Sequence, residues 1–236
     1  QQQEEDGSWI KYAYNKIPHT YYARVSWALL ALWQATGEEK YKNCAIRQLD
    51  WVLRQQKPDG SFNNASFFAD DKPVLHVIAY TVEGLLQAGI LLNQPKYIDA
   101  AGRGLYVWPA DGWTCLVGLA QMAVNNFSFY QLTQETEYLK KARQINAHLR
   151  SRQSFGALAG SSPIWKRYMP FSWPTWAAKF WIDSLLLEEK YKSDYPTAAI
   201  FPTDGLMVYV KKGEMRKDYF NPGNIFKEIY FFERQH

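Results

Sequence analysis

The sequence predicts an all-α protein of about seven helices in repeated hairpins, with a short β-containing tail at the C-terminal end. The main observation is a triplicated segment: "ARVSWALLALWQATGEEKY" from Ala23, "AYTVEGLLQAGILLNQPKY" from Ala79 and "AQMAVNNFSFYQLTQETEY" from Ala120. In each segment a tyrosine follows the first alanine by 18 residues, and another alanine follows that tyrosine by four. A second register matches the opening "QQQEEDGSW" to "QQKPDGSF" 53 positions later. Fixed spacings of this kind are typical of repeat architectures.

Each segment has the pattern of a helix hairpin. Its first helix is apolar on more than one side, as at Trp27, Leu30 and Trp33, which favours burial on most faces. A break follows, and the second helix, such as "YKNCAIRQLDWVLRQQ", alternates polar and apolar residues at helical period. We therefore predict inner helices around an axis and outer helices outside them. Asp-Gly turns, as at Asp59-Gly60, lead into the inner helices, because glycine tolerates positive φ.

A fourth inner helix is predicted from about Thr175 to Glu189. The hairpins are expected to curl into part of a ring, within a domain of residues 1–195. Because "QQQEEDGSW" occupies the place that follows an outer helix, we expect an incomplete ring, either an open arc or, preferably, a fragment of a longer protein. An open arc exposes the flanks of its terminal helices, which favours a homo-oligomer or a partner chain that completes the ring.

Residues 196–236 depart from the repeat. The apolar runs "LMVYV" and "EIYFF" predict two strands, separated by "KKGEMRKDYFNPGNIFK". They fit either the start of a βαβ unit with a helix-like connection or a β-hairpin packed on the helices. The string "KDYFNPGNIFKEIYFF" resembles the N-terminus of a retaining-type glycosyltransferase with two Rossmann-like domains. That resemblance implies that only its opening part is present, so no glycosyl transfer is expected.

Composition limits the classes of partner. A chain of 236 residues with 47% hydrophobic and 21% charged residues fits a globular domain with a sizeable core. The net charge of +4 is spread without a basic block, which argues against nucleic acid. Two cysteines are too few for a disulfide framework. No apolar run approaches the ~20 residues that a membrane helix needs, and no leader segment is evident, so we expect no membrane partner. If the sequence begins at its natural start, we expect a cytoplasmic protein, whereas a truncated start leaves the location open.

Several strings carry a family resemblance: "YARVSWALLAL", "LDWVLRQQKPDGSF", "LHVIAYTVEGLLQAG", "CLVGLAQMA" and "WAAKFWIDSLLLEE". They resemble a bacterial family often associated with polysaccharide loci, within the α/α-toroid superfamily of six-hairpin glycosidases, polysaccharide lyases, uronyl epimerases and terpenoid cyclases. The resemblance covers about Gln2 to Lys192 and implies an incomplete α/α toroid that acts on carbohydrate. The stretch "LYVWPADGWTCL" is shorter than the connection expected in that family, which leaves activity open.

The terpenoid branch of this superfamily fits less well. Its cyclases use clustered aspartates, whereas Asp70-Asp71 is the only pair of adjacent aspartates. Its protein prenyltransferases need zinc, and two cysteines and four histidines without ligand-like spacing do not provide a site. We expect no metal and no cofactor.

The candidate site is the mouth at the N-terminal ends of the inner helices, where partial positive charge suits anionic groups such as uronate carboxylates. His76 is the candidate general base, Tyr80 lies one turn further on, and Arg24 is the candidate cation for a substrate carboxylate. The alternatives are a hydrogen-bonded histidine at a helix start, a core tyrosine and an internal salt bridge of Arg24 to Glu83 or Asp50. Expected substrate-binding residues are Tyr21, Tyr22, Trp113, Trp173, Trp176, Lys179, Asp70 and Asp71.

Three functions stay open at this point. The first is a lyase, hydrolase or epimerase acting on an acidic poly- or oligosaccharide, with lyase or epimerase preferred because His76, Tyr80 and Arg24 are better placed than any carboxylate pair. Hydrolysis would draw on two of a pool of carboxylates: Asp59, Asp70, Asp71, Glu83, Asp111 and Asp183. The second is a non-catalytic relic or binding module, and the third is an isoprenoid-handling protein. Lys179 has Asp183 four residues on, so it also fits an internal pair, and Cys115 fits buried packing.

Overall fold

The computed structural model describes residues 3–67, 72–107 and 112–194, together with the backbone of residues 206–211 and 214–219. The described part is 63% helical and confirms the predicted all-α, toroid-like class. Its α-helices are α1 (Ala23–Thr36), α2 (Glu39–Gln55), α3 (Leu75–Leu92), α4 (Pro95–Gly104), α5 (Leu116–Thr133), α6 (Thr136–Arg152) and α7 (Thr175–Lys190). Two short sheets pair β1 (Thr114–Cys115) with β2 (Ser161–Ser162) and β3 (Leu206–Lys211) with β4 (Glu214–Tyr219).

The triplicated register corresponds to three hairpins, α1–α2, α3–α4 and α5–α6. Each inner helix ends at the same place in the repeat, on Gly37, Asn93 or Gln134, and all three residues have left-handed φ values of 73°, 51° and 60°. A left-handed residue stops the helix because its N–H turns back to a carbonyl of the last turn. The chain then re-enters a helix two residues later. The second alanines of the pattern, Ala45, Ala101 and Ala142, are fully buried.

The inner helices form an arc. Helix α1 packs on α3, α3 on α5, and α5 on α7, while α2, α4 and α6 each pack on the inner helix of their own hairpin. Helix α1 starts later in its repeat than α3 and α5, and a 3-10 turn at Thr20–Tyr22 fills the missing first turn. The central helices α3 and α5 are therefore covered on most sides, as their apolar composition predicts.

The two matched loops have the same structure. The carboxylates of Asp6 and Asp59 accept hydrogen bonds from the backbone and hydroxyl of Ser8 and Ser61, at 2.6–2.9 Å. The side chain of Gln3 donates to the carbonyls of Gly7 and Cys44, and that of Gln56 donates to Gly60 and Ala100. The opening segment thus docks on α2 as "QQKPDGSF" docks on α4. The matched Gln, Asp, Gly and Ser residues of the two segments are the ones that form these hydrogen bonds.

Gly60→Ala is expected to lower the free energy of unfolding by about 2 kcal/mol. Gly60 has a φ of 84°, and a Cβ there would lie 2.6 Å from the carbonyl oxygen of Arg103. Gly37→Ala is the matched control, because its φ of 73° is similar but its Cβ would enter open space. That control should cost about 1 kcal/mol. Urea denaturation of the three proteins measures the difference, and equal losses would contradict the docking contribution.

The tail contains a two-stranded antiparallel sheet, but its second strand is not the one that the sequence predicted. β3 coincides with "LMVYV", and it pairs antiparallel with β4, with Leu206 opposite Tyr219 and Lys211 opposite Glu214. The segment expected to be a helix-like connection therefore supplies the second strand. The run "EIYFF", predicted as the second strand, lies outside the described residues.

Helix α3 also corrects the expectation about apolar length. Its 18 residues have a mean hydropathy of 1.5, so by length and composition it is long and apolar enough to cross a membrane. The polar residues His76 and Glu83 interrupt the run, but its other residues are apolar enough to keep the mean at that value. Of this stretch, 67% is buried inside the protein, and a core helix meets the same criterion.

Candidate functional site

The three predicted catalytic residues lie side by side. His76 and Tyr80 are one turn apart on α3, and the centroids of their rings are 4.4 Å apart. Arg24, in the first turn of α1, places its guanidinium carbon 4.6 Å from the centroid of the Tyr80 ring. The close packing of α1 on α3 brings Arg24 to this position.

His76 is almost completely buried, with 4% of its surface exposed. Its Nδ1 hydrogen-bonds to Oε1 of Gln121 on α5, and because a carbonyl oxygen accepts, Nδ1 carries the proton and Nε2 has a free lone pair. The rings of Tyr168, Phe180 and Phe67 surround it at centroid distances of 5.3, 6.1 and 6.1 Å. Burial lowers the pKa of His76 to about 4, against a smaller opposing effect of Gln121. The imidazole is therefore neutral near pH 7.

The two candidate cations are paired within the protein. Arg24 lies 3.4 Å from the carboxylate of Glu83, and Lys179 lies 2.6 Å from that of Asp183. These are the internal pairs that the sequence left open as alternatives. Burial raises the pKa of Glu83, with Arg24 and Lys179 opposing that shift. The pKa of Tyr80 is also raised by burial, with Arg24 opposing it.

Aromatic rings continue from this centre towards the N-terminal segment. Tyr21 stacks on His19 at 4.7 Å and lies 5.7 Å from Phe67, whose ring stacks on Tyr168 at 6.1 Å. Tyr22 lies 4.8 Å from Tyr21. Both predicted tyrosines thus belong to one ring cluster that reaches His76 through Phe67.

The other predicted binding residues lie further out. Trp176 is exposed and donates from Nε1 to the hydroxyl of Tyr168 at 3.1 Å, and Trp173 is also exposed. Trp113 is half-buried against the core beside β1. Asp70, Asp71 and Asp111 lie outside the described residues. Asp59 makes the turn described above.

Sequence reasoning missed two residues that shape the site. Gln121 stands out as a polar side chain in the apolar run "CLVGLAQMA", and a buried amide needs partners, so that pattern was a usable signal. Tyr168 belongs to the connection between α6 and α7, where no repeat gives a register. Cys115 is buried, and burial raises the pKa of its thiol to about 12, as expected of a packing residue. Within the described ranges no group of three or more His, Cys, Asp or Glu residues could hold a metal ion.

The fold has counterparts among solved structures. The crystal structure of the Lin0763 protein from Listeria innocua aligns with 73% of this chain at a TM-score of 0.56 and 14% sequence identity, and the chain spans 55% of that protein. A structure of an unsaturated glucuronyl hydrolase (UGL) with dGlcA-Glc-Rha-Glc aligns at a TM-score of 0.47 and 14% sequence identity. The alignment covers 91% of this chain and 74% of the hydrolase chain. At such identity the likeness concerns the fold alone. No protein-family model and no curated protein sequence matches the chain.

Proposed function

We propose that this domain binds an acidic, uronate-containing oligo- or polysaccharide and abstracts a proton beside the uronate carboxylate, as a lyase or an epimerase. The supporting observation is the contact of Tyr80 with both Arg24 and His76, which places a cation 4.6 Å and a neutral imidazole 4.4 Å from the ring of one phenol. Such a combination suits chemistry next to a carboxylate, because neutralising the carboxylate makes the neighbouring carbon acid stronger.

His76 is the proposed base. Gln121 holds the Nδ1 proton, so Nε2 can accept the proton from the sugar carbon that bears the carboxylate. In elimination, the electron pair released from that C–H bond forms the new C=C bond and the glycosidic oxygen leaves, taking a proton from the Tyr80 hydroxyl. In epimerisation, the bond to the glycosidic oxygen stays intact, and a proton from solvent water is delivered to the same carbon on the opposite face.

Arg24 is the proposed carboxylate ligand, although Glu83 already pairs with it. Its side chain keeps 32% of its surface exposed, whereas that of Glu83 keeps 14%. A substrate carboxylate can therefore approach the guanidinium from the open side. The raised pKa of Glu83 lowers the cost of protonating it when a second carboxylate arrives.

Binding without catalysis is the second candidate function. It is favoured by the burial of His76 under Tyr168, since a base must reach the proton that it removes. In that case the exposed rings and Arg24 hold a saccharide, and His76 serves only to pack and orient α3 against α5.

Turnover of a panel of uronate-containing glycans tests the proposal, read as the ultraviolet absorbance of an unsaturated product and, for epimerisation, as exchange of the carbon-bound proton with solvent. His76→Ala is expected to reduce the rate at least about 100-fold. His148→Ala is the matched control, because burial also lowers the pKa of that histidine but it lies on the outer helix α6. Undiminished turnover in His76→Ala would contradict the catalytic role. Arg24-dependent binding without turnover in the wild type would select the second candidate.

A further inference from the structure

The connection from α6 to the first turn of α7 carries several exposed aromatic rings, and two further exposed rings, of Tyr12 and Tyr14, lie in the N-terminal segment. Among the residues that the structure describes, every exposed phenylalanine or tryptophan lies between the end of α6 and the first turn of α7, with exposed fractions from 39% to 101%: Phe155, Trp165, Phe171, Trp173 and Trp176. Exposed apolar area of this size in one place is typical of a binding surface, because each ring leaves a large area in water.

Backbone hydrogen bonds hold this connection. The N–H of Gly160 donates to the carbonyl of Ser172 at 3.0 Å, and that of Phe171 donates to Ile164 at 2.9 Å. β2 also pairs with β1 at the start of α5. Trp165 and Phe171 therefore project from a closed loop whose two ends meet.

The exposed rings continue directly from the candidate site. Tyr168, in the middle of the same loop, is buried against His76 and Phe67. The indole N–H of Trp176 donates to the Tyr168 hydroxyl, which joins the outer rings to the inner ones. A ligand at His76 that is longer than one unit would extend towards these rings.

Charge in this connection has one sign. Residues 153–176 contain neither aspartate nor glutamate, and Lys166 adds a positive charge next to Trp165 in the sequence, whereas Arg167 already has partners within the protein. A local excess of positive charge favours an anionic ligand. Flat apolar faces beside cations match the carbon-bound hydrogens and carboxylates of acidic sugar units.

We propose that Trp165, Phe171, Trp173 and Trp176, which we call the aromatic platform, bind successive units of an acidic saccharide chain whose end lies at His76. This inference rests on the proposed function and adds that the ligand is a chain rather than a single sugar. Each ring contributes stacking area for one unit, so affinity rises with chain length.

The test is calorimetric binding of a uronate disaccharide and of a longer oligomer of the same repeat. Trp165→Ala and Phe171→Ala are each expected to weaken binding of the longer oligomer about tenfold and to leave disaccharide binding unchanged. Leu132→Ala is the control, because Leu132 is also an exposed apolar residue, at 42%, but lies at the C-terminal end of α5. Unchanged melting temperatures establish that the variants fold.

Equal affinity of the wild type for both lengths would overturn the platform while leaving the proposed function intact. Absence of binding to any saccharide would overturn the proposed function and the platform with it. A third arm uses vesicles that contain phosphatidylglycerol. Trp165-dependent binding to these vesicles, without any dependence on saccharide length, would assign the exposed rings to a lipid surface instead.

Discussion

Gly118→Ala is expected to lower the free energy of unfolding by about 3 kcal/mol. Gly118 lies in the first turn of α5, where a Cβ would lie 2.5 Å from the backbone nitrogen of His76 and 2.6 Å from the carbonyl carbon of Leu75. Both are backbone atoms of α3, which cannot move aside as a flexible side chain can. The two inner helices would have to separate, and the packing between them would be lost.

The same substitution should disturb the site. Gln121 follows Gly118 by three residues on α5, and its Oε1 accepts from His76. Separating α5 from the start of α3 stretches that hydrogen bond, so that either ring nitrogen of His76 can carry the proton. We expect the His76 ring resonances to shift in the variant at a temperature where it is still folded.

Gly84→Ala should behave alike, and Gly102→Ala should not. A Cβ at Gly84 would lie 2.5 Å from the backbone nitrogen of Arg24, whereas one at Gly102 makes only an ordinary contact of 3.6 Å with the ring of Phe129. Gly102 lies inside α4, so alanine there should stabilise the helix by up to about 1 kcal/mol. Urea denaturation of the three variants measures the contrast. Similar losses for all three would contradict the role of close helix approach.

The hairpins could be predicted because their signal is periodic. Three alanines at one spacing predicted a repeat, and in the structure Ala45, Ala101 and Ala142 are all fully buried. Which residue ends each inner helix was harder to foresee, because glycine, asparagine and glutamine all take the left-handed conformation there. Only the first two have a preference for it that sequence analysis can use.

The site could be predicted only in part. His76 and Tyr80 share a helix face, so their contact follows from spacing alone. The approach of Arg24 depends on how closely α1 packs on α3, which Gly84 decides and which no local pattern reveals. Tyr168 covers His76 from an irregular connection that lies outside the repeat. The burial of the proposed base could therefore not be predicted from the sequence pattern.

Stability is expected to fall as the pH is lowered from 6.5 towards 4, and His76 should account for about 2 kcal/mol of the loss at pH 5. Burial lowers the pKa of His76 from an ordinary 6.5 to about 4 in the folded protein. Between these values the unfolded chain binds a proton that the folded protein does not. The stabilising contribution is therefore complete above pH 6.5 and is lost as the pH falls towards 4.

Other groups with shifted pKa values also make the stability depend on pH, some in the same direction as His76 and some in the opposite direction. Glu83 has a raised pKa, so its protonation favours the folded state as the pH falls and offsets part of the loss. His148 also has a pKa of about 4 and contributes in the same direction as His76. Asp6 and Asp59 have lowered pKa values, so they act only below about pH 4.

Comparison of the wild type with His76→Gln isolates the contribution of His76, because Glu83 and His148 are present in both proteins. The glutamine amide can still donate to Gln121, which limits the structural change. Urea denaturation at pH 7.5 and pH 5.0 should give a smaller pH-dependent loss in His76→Gln than in the wild type, by about 2 kcal/mol. Identical losses would show that His76 is solvated, with an ordinary pKa. The imidazole would then be open to water, and the ring of Tyr168 would not cover the proposed base.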